Sequence, residues 1–218
     1  MLLLPETARF GRILPKKTLW EKARMIPALQ RYMTEEIERI RWAYKLSPDT
    51  MNLAPGKEVK EIEVFEIRMR GGDIRKDLLE AIDRAIPYHI LFLLRKGEQV
   101  QAWIAHKTID KRGKTAIASI TYFHTDWMDE KALPLTFEGL SMDHVYEHFV
   151  RQVAGGYMAE DKEVSLEEAV AHEKELKKLA KKMGQLERKI KKEKQFNRQV
   201  ELREEYKKLK KQWEAING

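Results

Sequence analysis

The amino-terminal part of the chain contains a stretch with the two-residue period of a β-strand. From Ile40 to Leu46 every second residue is apolar, and Arg39, Arg41 and Lys45 lie at positions between them. This alternation is typical of a strand that buries one face. Ile40, Trp42, Tyr44 and Leu46 are therefore predicted to share that face.

Four further strands are predicted after it. The stretch KEIEVFEIRMR alternates, with a slip between Val64 and Phe65 that indicates a bulge or a strand covered on both faces. The continuous apolar run YHILFLL predicts a central strand. VQAWIAHK and TAIASITYF alternate again after the turn signals RKGEQ and KRGK. These short connections predict three consecutive antiparallel strands.

Helical signals occur beside these strands. Pro27 suits the first position of a short helix. The chain before it, positions 1–26, is predicted to be irregular apart from one helical turn at LWEKA. Asp73 is the predicted N-cap of a helix that ends before Pro87. Ser141 is the predicted N-cap of a later helix with one apolar stripe.

These elements predict an α+β fold in two parts. Residues 1–158 are expected to form a globular domain. Its mainly antiparallel sheet of about five strands would carry the helices at 75–86 and 141–153. Residues 159–218 contain no Pro and are dense in Lys and Glu, which predicts a long helical, coiled-coil-like tail.

The apolar residues of the tail step by three and four, the spacing of a helical seam. They form two sets about a third of a turn apart, and Phe196 faces neither set. The tail either turns back near residues 195–198 or continues from one partner surface to another. Neither Gly nor Pro marks a turn there, which favours a continuous helix that another helix must cover. The predicted seam residues are Leu176, Leu179, Met183, Leu186, Ile190, Phe196, Leu202, Leu209 and Trp213.

The net charge of the chain is modestly basic. Its 218 residues include 42 Lys and Arg against 35 Asp and Glu, a net charge of +7. The excess is concentrated in residues 177–194, which indicates contact with a partner protein or a nucleic acid. A partner or solvent is favoured, because aromatic residues are nearly absent there. The predicted contact residues are Lys177, Lys178, Lys181, Lys182, Arg188, Lys189, Lys191 and Lys192.

Composition also restricts the chemistry and location of the protein. The chain has no Cys, so it forms no disulfide, and a zinc site would need His and carboxylate ligands. The opening MLLLPE is too short for a signal peptide or a membrane span, which predicts a cytoplasmic protein without membrane contact. No phosphate-binding loop is present, and we expect no cofactor.

One short stretch matches a catalytic motif. His144, Glu147 and His148 form the H-x-x-E-H pattern of inverted zinc peptidases on a predicted helix. This spacing places both His residues on one side of the helix, with the acid near enough to act as a base. So short a pattern matches easily by chance, and both His residues can instead flank the apolar stripe. We therefore assign no metal site.

Acidic residues are concentrated along the second predicted strand. Glu58, Glu61, Glu63 and Glu66 suggest a magnesium-dependent nuclease, in which acids on adjacent strands hold the metal beside phosphate. Such enzymes place Lys two residues after an acid, whereas this chain has Arg68. Pairing with the basic residues of the first strand is favoured, because both strands carry their charges at the spacing that cross-strand pairs need.

Several stretches together resemble a known family. They are IRWAYKLSPDTMNL, EIEVFEIRMR, LLEAIDRAIPYHILFLL, YFHTDW and KKEKQFNRQVEL. They resemble an uncharacterised prokaryotic family of a domain of unknown function. Its genes often lie beside DNA methyltransferases and helicases in restriction-modification and phage-defence loci. The resemblance implies a companion of DNA-acting enzymes and assigns no catalytic residue.

We therefore expect a non-enzymatic accessory or assembly subunit of a restriction-modification or phage-defence system. It would self-associate or dock onto a protein partner through the tail, with nucleic acid as a further contact. A metal-dependent nuclease is the alternative, and a zinc hydrolase that uses the H-x-x-E-H helix is the second alternative.

Overall fold

The computed structural model describes residues 4–109, 117–155 and 165–217. The chain divides into two compact units, Met1–Gly155 and Gly156–Gly218. We call them the globular unit and the tail. The predicted boundary between residues 158 and 159 and the predicted KRGK turn lie outside the described residues.

One mixed sheet forms the centre of the globular unit. Its strands are β1 (Arg9–Leu14), β2 (Ile37–Leu46), β3 (Ile62–Met69), β4 (His89–Lys96), β5 (Gln99–Ile109), β6 (Ile117–His124) and β7 (Met128–Asp129). The first six lie side by side in chain order, and β7 pairs with β5. Neighbours are antiparallel except β3 and β4, which are parallel.

The sheet is larger than the sequence predicts. The prediction of about five antiparallel strands misses β1, β7 and the parallel pair. β1 lies within the segment 1–26, which the sequence predicts to be irregular. Its alternation is hidden because Gly11 has a φ of 68° and the register with β2 shifts between Arg9 and Arg12.

The globular unit contains five α-helices among its described residues. They are α1 (Lys16–Lys22), α2 (Pro27–Glu36), α3 (Pro48–Met51), α4 (Lys76–Ala85) and α5 (Met142–Ala154). Helices α1, α2 and α4 bury apolar side chains in one cluster with β2, β3 and β4. Helix α5 packs against β5 and β6. The predicted cap of α5 is confirmed, because the Ser141 hydroxyl accepts the N–H of His144 at 3.4 Å.

Helix α4 explains why β3 and β4 are parallel. It leads the chain from the end of one strand back to the start of its neighbour, as a parallel pair requires. Leu78, Leu79 and Ile82 bury its apolar stripe completely. The N-cap is Arg75, which makes no capping bond through its side chain, so the prediction of Asp73 as the cap is wrong.

An irregularity in β2 decides which side chains share a face of the sheet. The register against β3 shifts between Trp42 and Tyr44. Trp42 lies opposite Phe65, whereas Tyr44 lies opposite Val64. Because adjacent residues of a strand point to opposite faces, the single apolar face predicted for β2 is wrong after Trp42.

The tail is a helical hairpin. Helix α6 (Leu166–Lys192) begins at a capping box formed by Ser165 and Glu168. The chain leaves the helix at residues 193–195, and α7 (Phe196–Asn217) packs back along α6. The favoured prediction of one continuous helix is therefore wrong. No helix in the described parts of the chain has the length and apolar character that a membrane span requires.

Candidate functional site

Contacts between α6 and α7 hold the two helices antiparallel. Near the open end, Nε2 of His172 lies 2.7 Å from the carbonyl oxygen of Ile216. In the middle, the Tyr206 hydroxyl donates to Oε1 of Glu187 at 2.8 Å. Near the turn, the amide of Gln199 donates to the backbone of helix α6 at 3.2 Å.

The hairpin covers most of the predicted seam by itself. Leu176, Leu179, Leu186 and Leu202 are buried, and Met183, Ile190, Leu209 and Trp213 are half-buried. Phe196 is the exception, with 76% of its surface exposed. The sequence predicts that a helix from outside the tail covers the seam. The helix that covers it is instead α7 of the same tail.

The turn of the hairpin is fixed by hydrogen bonds rather than by Gly or Pro. The Glu193 N–H donates to the Lys189 carbonyl at 2.9 Å. The Glu193 carboxylate accepts the N–H groups of Lys194 and Gln195 at 2.8 and 2.9 Å. The turn therefore holds Phe196 in a defined position in solvent. We call residues 190–200 the hairpin tip.

The eight predicted contact residues of the tail are all exposed on α6. Lys177 and Lys178 form ion pairs with Glu173 and Glu175 of the same helix at 3.3 and 3.2 Å. Exposed pairs of this kind contribute little to stability, so these side chains can change partners at small cost. Lys191 and Lys192 lie at the hairpin tip.

The acidic residues of β3 divide between the two faces of the sheet. Glu63 is 1% exposed and accepts the indole N–H of Trp42 at 2.7 Å. Glu66 lies three residues further on, hence on the opposite face, where it pairs with Arg95 at 3.2 Å. The two carboxylates therefore cannot bind one metal ion. Among the described residues, no group of three or more His, Cys, Asp or Glu side chains could hold a metal.

Register supports the cross-strand pairing that the sequence favours. Arg41 lies opposite Glu66, and Lys45 lies opposite Glu63. Lys45 forms its ion pair with Glu61, at 3.2 Å. Burial raises the pKa of Glu63 to about 7, although the Trp42 hydrogen bond opposes the rise.

Two residues of the H-x-x-E-H pattern, Glu147 and His148, have other partners. His148 Nε2 lies 2.8 Å from the Gln152 amide and 3.2 Å from the Thr136 hydroxyl. Glu147 accepts hydrogen bonds from Arg151 at 2.8 and 3.1 Å. A zinc ion would have to displace these contacts, so the structure adds no support for the zinc hypothesis.

Comparison with known proteins identifies the family. The model of a family described as a domain of unknown function, DUF4391, matches residues 2–213. The chain belongs to the DUF4391 family. Searches of curated proteins and of solved structures found no match to it. This membership confirms that the quoted stretches belong to an uncharacterised family of a domain of unknown function.

This DUF4391 chain also contains a buried polar cluster that the sequence patterns did not predict. Asp83 of α4 is fully buried, and its Oδ1 lies 2.8 Å from Nζ of Lys107 on β5. The hydroxyl of Tyr122 on β6 donates to the other carboxylate oxygen. Lys107 also donates to the Tyr88 carbonyl at 2.7 Å. The cluster ties α4 to β5 and β6.

A sequence signal for this cluster exists. Asp83 lies four residues after Leu79, so it falls on the buried stripe of α4. Lys107 continues the alternation of Trp103 and Ala105, so it shares their face of β5. One acid and one base at core positions of neighbouring elements predict a buried pair.

Proposed function

We propose that this protein is a non-enzymatic accessory subunit that docks onto a DNA-acting partner enzyme through its hairpin tip. The observation that carries the proposal is the exposure of Phe196 beside a turn that hydrogen bonds hold in place. An exposed aromatic side chain on a fixed turn is a suitable anchor for a pocket on another protein. Val200, which is 42% exposed, extends the apolar surface along α7.

The charges around Phe196 define the chemistry of the partner. Lys191, Lys192 and Lys194 are exposed beside it. An aromatic anchor with a basic rim fits an apolar pocket within an acidic surface. Since α7 already covers the seam of α6, the tip is the part of the tail best suited to a partner, and self-association through the seam is disfavoured.

The biological setting is part of this proposal. It comes from the resemblance to a family encoded beside DNA methyltransferases and helicases in restriction-modification and phage-defence loci. The proposed partner is one of these two enzymes, and the proposed location is the cytoplasm. A nuclease that uses β3 is disfavoured because Glu63 and Glu66 face opposite sides of the sheet.

We expect Phe196→Ser to weaken docking by about 10- to 100-fold, because loss of a buried aromatic anchor costs about 2 kcal/mol or more. The test is to co-express the protein with a DNA methyltransferase and with a helicase of the kinds that the resemblance implies as companions. The dissociation constant of any complex is then measured by interferometry. Leu140→Ser is the matched control, since Leu140 is an apolar residue of the globular unit that is 81% exposed.

Three results would count against docking through the tip. They are no binding of either enzyme to the wild-type protein, wild-type affinity in Phe196→Ser, and an equal loss in Leu140→Ser. Light scattering completes the test, because the proposal predicts that the protein alone is a monomer. A dimer that Phe196→Ser dissociates would show that the tip binds a second copy instead.

A further inference from the structure

Three arginine side chains form a row across the middle of the sheet. Arg39 of β2 lies opposite Arg68 of β3, and Arg68 lies opposite Arg95 of β4. Residues that are opposite each other on neighbouring strands point to the same face, about 5 Å apart. The next position along β2 and β3 pairs Arg41 with Glu66. Four guanidinium groups and one carboxylate thus share one face.

These five side chains line a concave site. Arg39, Arg41, Glu66, Arg68 and Arg95 enclose a groove of about 300 Å³. We call it the arginine groove. Arg39 and Arg68 are exposed at its mouth, and the other three side chains are half-buried. All of them belong to the globular unit.

The acids near the groove neutralise only one of its arginines. Arg95 pairs with Glu66 at 3.2 Å and with Glu130 at 3.0 Å. Among the described residues, none of the ion pairs involves Arg39, Arg41 or Arg68. Nε of Arg41 is buried and has no hydrogen-bond partner in the described part of the chain. The groove therefore keeps donors and positive charge available for a ligand.

A row of like charges on neighbouring strands destabilises a sheet when nothing offsets it. Arginine keeps its charge at every physiological pH, so the repulsion is not relieved by deprotonation. Its planar fork of donors matches the oxygens of a phosphate group, often through two parallel hydrogen bonds. The ligand that fits the groove is an anion that offers oxygen acceptors to several guanidinium groups at once.

We propose that the arginine groove binds the phosphate backbone of a nucleic acid. The three arginines outside these ion pairs, Arg39, Arg41 and Arg68, exceed the charge of one phosphate group. Arg39 and Arg68 lie exposed at the mouth, where a polymer can pass. Glu66 holds Arg95 in place within the groove. The groove is formed by residues of the globular unit alone, so this proposal does not rest on docking through the hairpin tip.

The test measures binding of fluorescent 20-nucleotide DNA, single-stranded and duplex, by anisotropy between 50 and 200 mM salt. We expect Arg39→Gln/Arg68→Gln to weaken binding at least tenfold at 50 mM salt. The slope of log affinity against log salt should fall by about 1 to 2, because two phosphate contacts are lost. Lys191→Gln/Lys192→Gln removes the same charge from the hairpin tip. We expect this variant to lose less than threefold in affinity for DNA.

Equal losses in the two double variants would overturn the proposal, because the effect would then follow net charge alone. Absence of DNA binding by the wild-type protein would also overturn it. A third arm adds inorganic phosphate as competitor. Complete displacement of DNA by 1–2 mM phosphate at constant ionic strength would show that the groove takes a single phosphate group and not the polymer.

A stability measurement tests the charge argument without any ligand. Arg68→Gln removes the central charge of the row, so we expect the melting temperature in low salt to rise by about 1 to 4 °C. Arg31→Gln, at an exposed position of α2, serves as the control and should leave it unchanged. A lower melting temperature in Arg68→Gln, with no change in Arg31→Gln, would mean that Arg68 stabilises the protein without a ligand. This would contradict the repulsion that we infer among the arginines of the row.

Discussion

Asp83→Ala is expected to lower the free energy of unfolding of the globular unit by about 3–5 kcal/mol. Asp83 is fully buried, and only 7% of the Lys107 side chain is exposed. Removing the acid leaves the ammonium group of Lys107 buried without its counter-charge, and this is among the most destabilising changes in a protein interior. Tyr122 loses its hydrogen-bond acceptor at the same time.

Helix α4 supplies a matched control for this prediction. Glu80 pairs with Arg84 at 2.8 Å, but both side chains are substantially exposed. We expect Glu80→Ala to cost less than about 1 kcal/mol, as is usual for surface pairs. Denaturant unfolding followed by tryptophan fluorescence is suitable, because four of the five Trp residues lie in the globular unit. Similar losses in the two variants would show that Asp83 is not the counter-charge of a buried pair.

The double variant Asp83→Ala/Lys107→Met separates charge from packing. It removes the unpaired ammonium group, so part of the stability lost in Asp83→Ala should return. If the effects of the two substitutions on the free energy of unfolding are instead additive, the ion pair does not account for the stability lost in Asp83→Ala.

Glu63→Gln is expected to stabilise the protein by about 2–3 kcal/mol at pH 8.5 and to have little effect at pH 4.5. Burial raises the pKa of Glu63 from an ordinary value of 4.5 to about 7. Between pH 4.5 and about 7, Glu63 is protonated in the folded state but ionised in the unfolded state. The free energy of unfolding therefore falls as the pH rises through this range. Above pH 7 the folded protein bears the full cost of a buried carboxylate, which Gln avoids while still accepting from Trp42.

The measurement is the difference in unfolding free energy between Glu63→Gln and wild type at several pH values. Taking the difference cancels the titration of other groups, provided that they do not interact with position 63. Lys45 and Glu61, which do interact with it, stay unchanged in both proteins. Glu58→Gln, which makes the same substitution at an exposed position, is the control. A flat difference for Glu63→Gln would mean that Glu63 is ionised throughout this range.

Much of the fold could be predicted from local patterns. The five strands predicted from the sequence correspond to β2 to β6, the five longest strands of the sheet. Ser141 caps α5, as predicted. The prediction failed where the structure depends on pairing between distant residues. β1 has no clear alternation, and only its register with β2 defines it as an edge strand.

The hairpin shows a second reason for failure. The two seams of the tail were predicted correctly as separate sets, and the same chain brings them together. The turn between them carries neither Gly nor Pro, because the side chain of Glu193 accepts the backbone N–H groups that would otherwise lack partners. A side-chain bond of this kind leaves little trace in the sequence pattern.

The arginine groove could not be found in the sequence for a third reason. Its residues come from three strands, and their alignment depends on the register shifts of β2. In the sequence, Arg39 and Arg41 are the polar half of an alternating strand, and the most basic segment is the tail. The density of basic residues along the chain therefore indicates the tail, whereas the fold brings arginines together in the arginine groove.

Docking through the hairpin tip requires the tail to close on itself, since the tip exists only if the chain turns at residues 193–195. The chain has no Cys, so spin labels can be attached at Lys174→Cys and Glu214→Cys alone. Lys174→Cys with Lys192→Cys is the control pair, at about 27 Å along one helix in either arrangement. Double electron–electron resonance measures the distance between the two spin labels. In the hairpin we expect less than about 25 Å between the labels at positions 174 and 214, because the axes of packed helices lie about 10 Å apart and the labels add their own length. A distance of roughly 60 Å, which is the length of about 40 residues in one continuous helix, would contradict the hairpin.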